Sequence, residues 1–150
     1  MALEIRVLSQ EWLQPLANFF EVIRKSGGLH FHPHPFTDAT AKMLAEYSGS
    51  DLYYLLVDGG QVLAYGLLRG WDQGYEIPSL GIAVHPEARG RKLGELMMHF
   101  LHTAARRKGA RQVRLKVYSE NVSARSLYVK LGYRFDTAAE DGQLVGRLDL

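Results

Sequence analysis

The sequence has 150 residues, which predicts one domain over residues 1–150, large enough to bury a core without disulfides. Hydrophobic residues make up 47% and charged residues 23%, as is ordinary for globular proteins. There is no cysteine, which excludes disulfides, thiolate zinc sites and a cysteine nucleophile. The first residues lack the pattern of a signal peptide, and no segment approaches the roughly 20 apolar residues of a membrane span. We therefore expect a cytoplasmic protein with no membrane partner.

Residues 1–84 predict two helices and four extended segments. Residues 3–8 alternate apolar and polar side chains, which predicts a strand. Ser9 is expected to cap a helix that runs to about Lys25, and a second helix is expected from residues 37–38 to about residues 48–49. Residues 51–58 and 61–69 form a predicted hairpin. Residues 75–84 form the next extended segment, where Pro78 and Gly81 indicate a bulge or broken pairing.

The second half continues with a turn at residues 89–94 and an amphipathic helix from Leu93 to Gly109. A strand at residues 112–118 and a short helix at residues 121–130 follow. Residues 133–135 and 143–150 are expected to close the fold as a hairpin.

Positive charge is concentrated in residues 89–116, which hold nine of the 18 lysines and arginines and one acid, Glu95. Such a cluster favours an anionic partner, and both nucleic acid and a phosphorylated cofactor satisfy that condition. Residues 106–108 also fit a solvated helix end, where cations are favoured. No aromatic-rich basic sheet face or reading helix is recognisable, so we expect no nucleic-acid partner.

The turn at residues 89–94 has the composition of a phosphate-binding loop. Gly90 and Gly94 let the backbone approach a ligand, and the following helix presents free N–H groups. Arg89, Arg91 and Lys92 add positive charge, so a pyrophosphate would be held mainly by backbone amides. The two glycines alone also fit an ordinary loop that caps a surface helix.

Two motifs give this chain its resemblance to a known family. Residues 80–94, LGIAVHPEARGRKLG, resemble the central motif of the GNAT superfamily of N-acetyltransferases, although Lys92 stands where that family usually has glycine. Residues 121–135 resemble its second element, in which an Asn, a Tyr seven residues on and a Gly-aromatic pair follow in order. The resemblance is strongest over residues 75–135. It implies an α/β (α+β) fold with a mixed, mostly antiparallel sheet of about seven strands, a splay between strands 4 and 5, and about four flanking helices.

The resemblance also implies acetyl-CoA as co-substrate. The residues it assigns to the cofactor are a strand backbone that pairs with the pantetheine arm, the phosphate turn and two residues of the second motif: Ile82, Ala83, Val84, Arg89, Gly90, Arg91, Lys92, Leu93, Gly94, Asn121 and Tyr128. An amide near Ile82 or Ala83 could polarise the thioester carbonyl. Asn121 could equally be the N-cap of the short helix.

Tyr128 and Glu76 are the expected catalytic residues. Tyr128 occupies the position of the general acid in many family members, and a phenol with a pKa near 10 can donate to the leaving thiolate. Glu76 lies thirteen residues before Arg89, the offset of the catalytic glutamate in the histone-acetyltransferase branch, and is expected to project from the sheet near the cleft. A core tyrosine and a solvent-facing glutamate are the alternatives. Lys116 stands where enzymes that acetylate ribosomal protein N-termini have a glutamate, so that mechanism is not supported.

His30, His32 and His34 alternate in one loop. Three imidazoles could ligate zinc, but the loop offers no fourth ligand, so we expect no metal. In the family this loop lines the acceptor site, which leaves acceptor contact and plain packing as alternatives for the histidines. Trp71 and Tyr75 could add apolar walls to that site or belong to the core.

The resemblance implies direct acetyl transfer, in a ternary complex, from acetyl-CoA to a primary amine, which we expect to belong to a small molecule such as an amino sugar or an amino-acid-like compound. Acetylation of a protein lysine or N-terminus and a non-catalytic acyl-CoA-binding module are the alternatives. A monomer and a homodimer are both compatible with the sequence.

Overall fold

The computed structural model describes residues 2–26 and 33–150, apart from the side chains of residues 137 and 138. The described residues form seven strands: β1 Leu3–Val7, β2 Leu52–Asp58, β3 Gln61–Arg69, β4 Ser79–Val84, β5 Gln112–Tyr118, β6 Arg134–Glu140 and β7 Gln143–Asp149. They also form four α-helices: α1 Leu13–Lys25, α2 Asp38–Ala45, α3 Leu93–Arg107 and α4 Val122–Lys130. No helix in this part of the chain is long and apolar enough to cross a membrane.

All seven strands belong to one sheet, in the order β1-β2-β3-β4-β5-β7-β6. Every neighbouring pair is antiparallel except β4 and β5, which are parallel and share a single register pair, Ser79 and Arg114. The backbone N–H of Arg114 donates to the carbonyl of Pro78 at this joint, 3.0 Å away. Beyond the joint the two strands separate, which confirms the predicted mixed sheet with a splay between strands 4 and 5.

Each face of the sheet carries its own apolar core because successive strand residues point to opposite faces. Tyr65 and Leu67 of β3 pack under α1 and α2, whereas Ala64 and Leu68 pack under α3 and α4. Gly66 shows how closely α3 approaches, since a Cβ there would meet the Met97 sulfur at 2.9 Å. The sheet therefore holds both helix layers in fixed positions around β4.

The ends of several elements differ from the prediction. Ser9 makes no side-chain cap, and a short 3-10 turn at Gln10–Trp12 precedes α1. Thr37 does cap α2, accepting a hydrogen bond from the Thr40 N–H at 3.1 Å, but α2 already ends at Ala45. β6 is longer than predicted and reaches Glu140.

The extended segment predicted at residues 75–84 is confirmed only from Ser79 onward, where β4 begins; the prediction is wrong for residues 75–78. Pro78 has no N–H to donate, so regular pairing starts after it. The preceding residues form a 3-10 turn, Trp71–Gln73, and a bend. Asp51 stabilises this turn, because its Oδ1 accepts the backbone N–H groups of Gly70 at 3.0 Å and Trp71 at 2.9 Å.

Candidate functional site

A cavity of about 770 Å³ opens where β4 and β5 separate. Its wall is built from β4, the turn after β4, the start of α3, one side of β5 and α4. It is lined by ten of the eleven residues that the sequence assigns to the cofactor: Ile82, Ala83, Val84, Arg89, Gly90, Lys92, Leu93, Gly94, Asn121 and Tyr128. Arg91 does not line it. The fold thus brings the two sequence motifs together at one place.

The chain between β4 and α3 is held by His85. Its backbone N–H donates to the carbonyl of Leu63 at 2.8 Å, and its Nδ1 accepts the N–H of Glu87 at 3.1 Å. The side chain is buried and its ring lies 6.3 Å from that of Phe19. His85 therefore fixes where the turn at residues 89–94 leaves the sheet, a role that its position before Pro86 did not reveal.

The start of α3 leaves its backbone donors open. Lys92 is the N-cap residue, and its side chain makes no capping hydrogen bond. The first N–H groups of an α-helix have no acceptor within the helix, and here Leu93, Gly94 and Glu95 lie at the cavity wall. Lys92 has φ 62° and ψ 19°, a left-handed conformation that glycine adopts without penalty. Lys92 therefore adopts a backbone geometry that suits glycine, the residue usual at this position in the motif that the sequence resembles.

The cavity mouth is electropositive. Its acid, Glu95, forms an ion pair with Lys130 at 3.1 Å, and this hydrogen bond lowers the pKa of Glu95. Arg89 and Lys92 have no carboxylate within 4 Å in the described part of the chain. Two cations that form no ion pair, beside the open N–H groups of a helix, can bind an anion such as a pyrophosphate.

Tyr128 lies on α4 and lines the same cavity. Its ring contacts that of Tyr133, with centroids 5.7 Å apart, and its carbonyl accepts the Tyr133 N–H at 3.0 Å. Burial raises the pKa of Tyr128 to about 12. Among the described residues, nothing hydrogen-bonds its hydroxyl, so the proton is retained at neutral pH and is available to a ligand in the cavity.

Asn121 both caps α4 and lines the cavity. Its Oδ1 accepts the N–H of Ala124 at 3.4 Å, which is a long hydrogen bond. The side-chain amide nitrogen has no partner among the described groups. The capping role predicted for Asn121 and contact with a ligand are therefore compatible.

A second cavity, of about 870 Å³, lies at the closed end of the splay. Its wall includes Tyr75 and Glu76, together with Ser79 of β4. Glu76 lies in the bend before β4, so its predicted position on the strand is wrong, and it lines this cavity and not the one that holds Tyr128. Trp71 lines neither cavity, because it packs on the α3 side, where the Lys108 ammonium lies 4.5 Å from its ring centroid.

Three arginines of this second cavity were missed from the sequence: Arg69, Arg114 and Arg147. Each is a polar residue that alternates with buried ones along a strand, which by itself indicates only the side of the sheet that each faces. Their proximity depends on strand order and register, which the sequence does not display.

His34 is packed against the α1 side of the sheet. Its Nδ1 lies 2.9 Å from the carbonyl of Pro35, and its Nε2 lies 2.9 Å from the hydroxyl of the fully buried Tyr65. Burial lowers the pKa of His34, which favours the neutral ring that donates from Nδ1 and accepts at Nε2. Both ring nitrogens are thus engaged within the fold. His30 and His32 lie outside the described residues.

No group of three or more His, Cys, Asp or Glu that could hold a metal ion occurs in the described ranges, residues 2–26 and 33–150. Two of the loop histidines lie between those ranges. Their expected contact with an acceptor stays a prediction.

The comparisons with known proteins agree on the fold. The sequence matches the family described as Acetyltransferase (GNAT) family over residues 16–133. The GNAT domain of S. lividans PAT is 16% identical, with a TM-score of 0.85 over 97% of this chain and 89% of that one. A GCN5-related N-acetyltransferase from Kribbella flavida is 25% identical, with a TM-score of 0.80 over 99% and 98%. The PaiA N-acetyltransferase from Thermoplasma acidophilum, solved in complex with coenzyme A, is 17% identical, with a TM-score of 0.81 over the full length of both chains. No curated protein sequence matches significantly.

Proposed function

Because the chain belongs to the GNAT family of acetyltransferases, we propose that it transfers the acetyl group of acetyl-CoA to a primary amine of a small molecule. The observation that supports this proposal best is the first cavity, which joins the uncapped start of α3 to the unpartnered hydroxyl of Tyr128. An anion site and a proton donor that line one cavity suit a thioester attached to a pyrophosphate.

The donor would bind along the open edge of β4. β3 pairs with all six residues of β4, but β5 pairs only with Ser79, so the backbone of residues 82–84 has unpaired hydrogen-bonding groups on the splayed side. An extended pantetheine arm can pair there as an added strand does. The pyrophosphate would then lie at the first turn of α3, with Arg89 and Lys92 beside it.

The chemical step would need few protein groups. The neutral amine attacks the thioester carbonyl, and an N–H on the open edge of β4 stabilises the oxyanion. The carbon–sulfur bond then breaks, and the proton that the amine loses finally resides on the coenzyme A thiol or in solvent. With a pKa of about 12 against roughly 8.5 for a thiol, Tyr128 assists mainly by donating a hydrogen bond to the departing sulfur.

The base would lie on the acceptor side. Glu76 is our candidate for this base. It lines the second cavity, next to the joint of β4 and β5, and it has no ion pair among the described residues. A water molecule between Glu76 and the amine would carry the proton. The cytoplasmic location also stays a prediction.

Thiol release from acetyl-CoA with a panel of primary amines tests this function. We expect turnover with small amines, and Tyr128→Phe should lower kcat about 10- to 100-fold while leaving coenzyme A affinity within twofold. Leu131→Met, on the same helix end but outside the cavity, is the matched control. Coenzyme A binding without turnover of any amine would support a non-catalytic module, and turnover of peptides alone would support a protein acceptor.

A further inference from the structure

A row of side chains crosses four strands at the closed end of the splay. The register pairs Arg69 of β3 with Ser79 of β4, Ser79 with Arg114 of β5, and Arg114 with Arg147 of β7. All four residues line the second cavity. Neighbouring strands are about 4.8 Å apart, so the small Ser79 leaves a gap of roughly 10 Å between the backbones of Arg69 and Arg114.

The four side chains point to the face opposite α3 and α4. Leu68, Val113 and Leu148, their chain neighbours, pack in the core beneath those helices, so the row must project the other way. Like charges placed side by side on a sheet are destabilising unless opposite charges compensate them. The carboxylates around the cavity therefore decide whether the row is neutralised.

Two of the three acids that line the cavity are already used by the fold. Asp51 Oδ1 accepts the backbone N–H groups of the turn that starts at Gly70. Asp72 accepts the Ser50 N–H at 2.7 Å and the hydroxyl of Tyr47. Glu76, the third, makes no ion pair with any described residue.

The arginines are only partly paired. Arg114 uses Nη2 alone, which lies 3.2 Å and 3.0 Å from the two carboxylate oxygens of Glu140. Its Nε is buried and has no hydrogen-bond partner, an arrangement that is costly in a folded protein. Arg147 donates from Nε to Asp136 at 3.4 Å.

Arg69 has no carboxylate within 4 Å in the described part of the chain. Its guanidinium lies beside Tyr53. Burial raises the pKa of Tyr53, and the positive charge of Arg69 offsets part of that rise. The cavity is thus lined by a guanidinium without an ion pair on one side of Ser79 and by a guanidinium that Glu140 contacts through Nη2 alone on the other.

We propose that the acceptor amine carries a carboxylate or phosphonate group and that Arg69 and Arg114 bind this oxyanion above Ser79. A guanidinium matches two oxygens of such a group in its own plane, and both arginines line the cavity, where Arg69 and the Nη1 group of Arg114 make no ion pair with a described carboxylate. The acceptor is therefore an amino-acid-like amine and not an amino sugar. The inference rests on the proposed acetyl transfer, because it assigns the second cavity to the acceptor.

The position of the row suits that role. Ser79 lines the second cavity, while the next two residues, Leu80 and Gly81, line the first. The amine of a molecule whose oxyanion is held above Ser79 would therefore lie close to the first cavity, which begins one residue further along β4. Glu76, on the same wall, is placed to attract the ammonium end of the molecule and receive its proton.

Three matched compounds test the inference in the thiol-release assay: an α-amino acid, its aminophosphonate analogue and its carboxamide. We expect kcat/KM for at least one of the two oxyanion compounds to exceed that of the carboxamide by 100-fold or more, and the better of the two identifies the group. Arg69→Gln and Arg114→Gln should raise KM for that compound 10- to 100-fold without changing acetyl-CoA affinity. Arg134→Gln is the control, since Arg134 pairs with Asp149 at the surface and lines neither cavity.

The quantity compared between variants is the ratio of kcat/KM for the oxyanion compound to kcat/KM for the carboxamide. A variant that is merely unstable has lower values for both compounds and an unchanged ratio, so the ratio distinguishes lost recognition from damage to the fold. Equal use of the carboxamide by the wild type, or an unchanged ratio in both arginine variants, would overturn the inference while acetyl transfer stands. If no amine is acetylated, the proposed function fails. Calorimetric binding of the same three compounds to the protein with coenzyme A then decides the inference, since the oxyanion compounds should still bind at least tenfold more tightly.

Discussion

Replacing Lys92 by glycine should stabilise the protein. Its φ of 62° lies in the left-handed region, where an L-residue other than glycine pays about 1–2 kcal/mol. Glycine avoids that cost but loses about 0.5–1 kcal/mol more chain entropy on folding than alanine does. The difference leaves a net gain of about 1 kcal/mol for Lys92→Gly, which corresponds to about 2–4 °C in melting temperature for a domain of this size.

Lys92→Ala is the matched control, because it removes the same charge but keeps a Cβ in the left-handed conformation. Thermal melts of the two variants and the wild type, without ligand, measure the effect. We expect Lys92→Gly to exceed Lys92→Ala by about 1 kcal/mol. Equal stabilisation by both variants would refute the strain argument and assign the gain to relief of repulsion with Arg89 and Arg91.

The same pair of variants separates two roles of Lys92 in coenzyme binding. A loss of affinity common to both, with a weaker salt dependence, indicates that the ammonium contacts phosphate. Recovery of affinity in Lys92→Gly alone indicates that the backbone geometry matters more than the charge.

Three further predictions concern the first cavity and the core behind it. Gly94→Ala should not destabilise the protein, because the new Cβ would meet side-chain atoms no closer than 3.7 Å, yet it should weaken coenzyme A binding in calorimetry; unchanged affinity would show that no ligand backbone passes close to this residue. Turnover should not decline between pH 8 and about 10.5 for want of the Tyr128 proton, since its pKa is about 12, and a fall of the wild-type rate in that window that is absent in Tyr128→Phe would contradict this. Burial lowers the pKa of His102 from 6.5 to about 4, so its neutral ring contributes stability that is fully present above pH 6.5 and is lost as the pH falls to about 4. The loss is about 3 kcal/mol at 1.36 kcal/mol per pH unit, and urea unfolding at pH 7.5 and 4.5 should show most of it in the wild type but not in His102→Gln.

Local patterns in the sequence were sufficient for the first cavity. Periodicity, cap residues and turn signals predicted the four helices and seven strands in the right order, though not all their ends, and the two motifs placed the turn after β4 and the residues Asn121 and Tyr128 on elements that meet at the splay. This succeeded because each motif joins a strand end to a helix start within about fifteen residues, so local geometry positions its groups.

Long-range features could not be predicted in the same way. The pairing of His34 with Tyr65 and the alignment of Arg69 with Arg114 depend on which strands are neighbours and in what register. The position of Glu76 differs from the prediction for a more local reason, because regular pairing of β4 starts only after Pro78. The offset of thirteen residues between Glu76 and Arg89 gives only a separation along the chain. It does not show that Glu76 precedes β4 or which cavity it lines.

The single bridge between β4 and β5 links the two cavities. If the strands paired along their whole length, β4 would have no open edge and the first cavity would close. If they did not pair at all, Arg114 would not lie beside Ser79, and the arginine row would be broken. In the proposed function, one joint would therefore set the separation between the donor along β4 and the acceptor above Ser79. Such an arrangement would favour direct transfer between two bound substrates, which requires no nucleophile from the protein and is consistent with a chain that contains no cysteine.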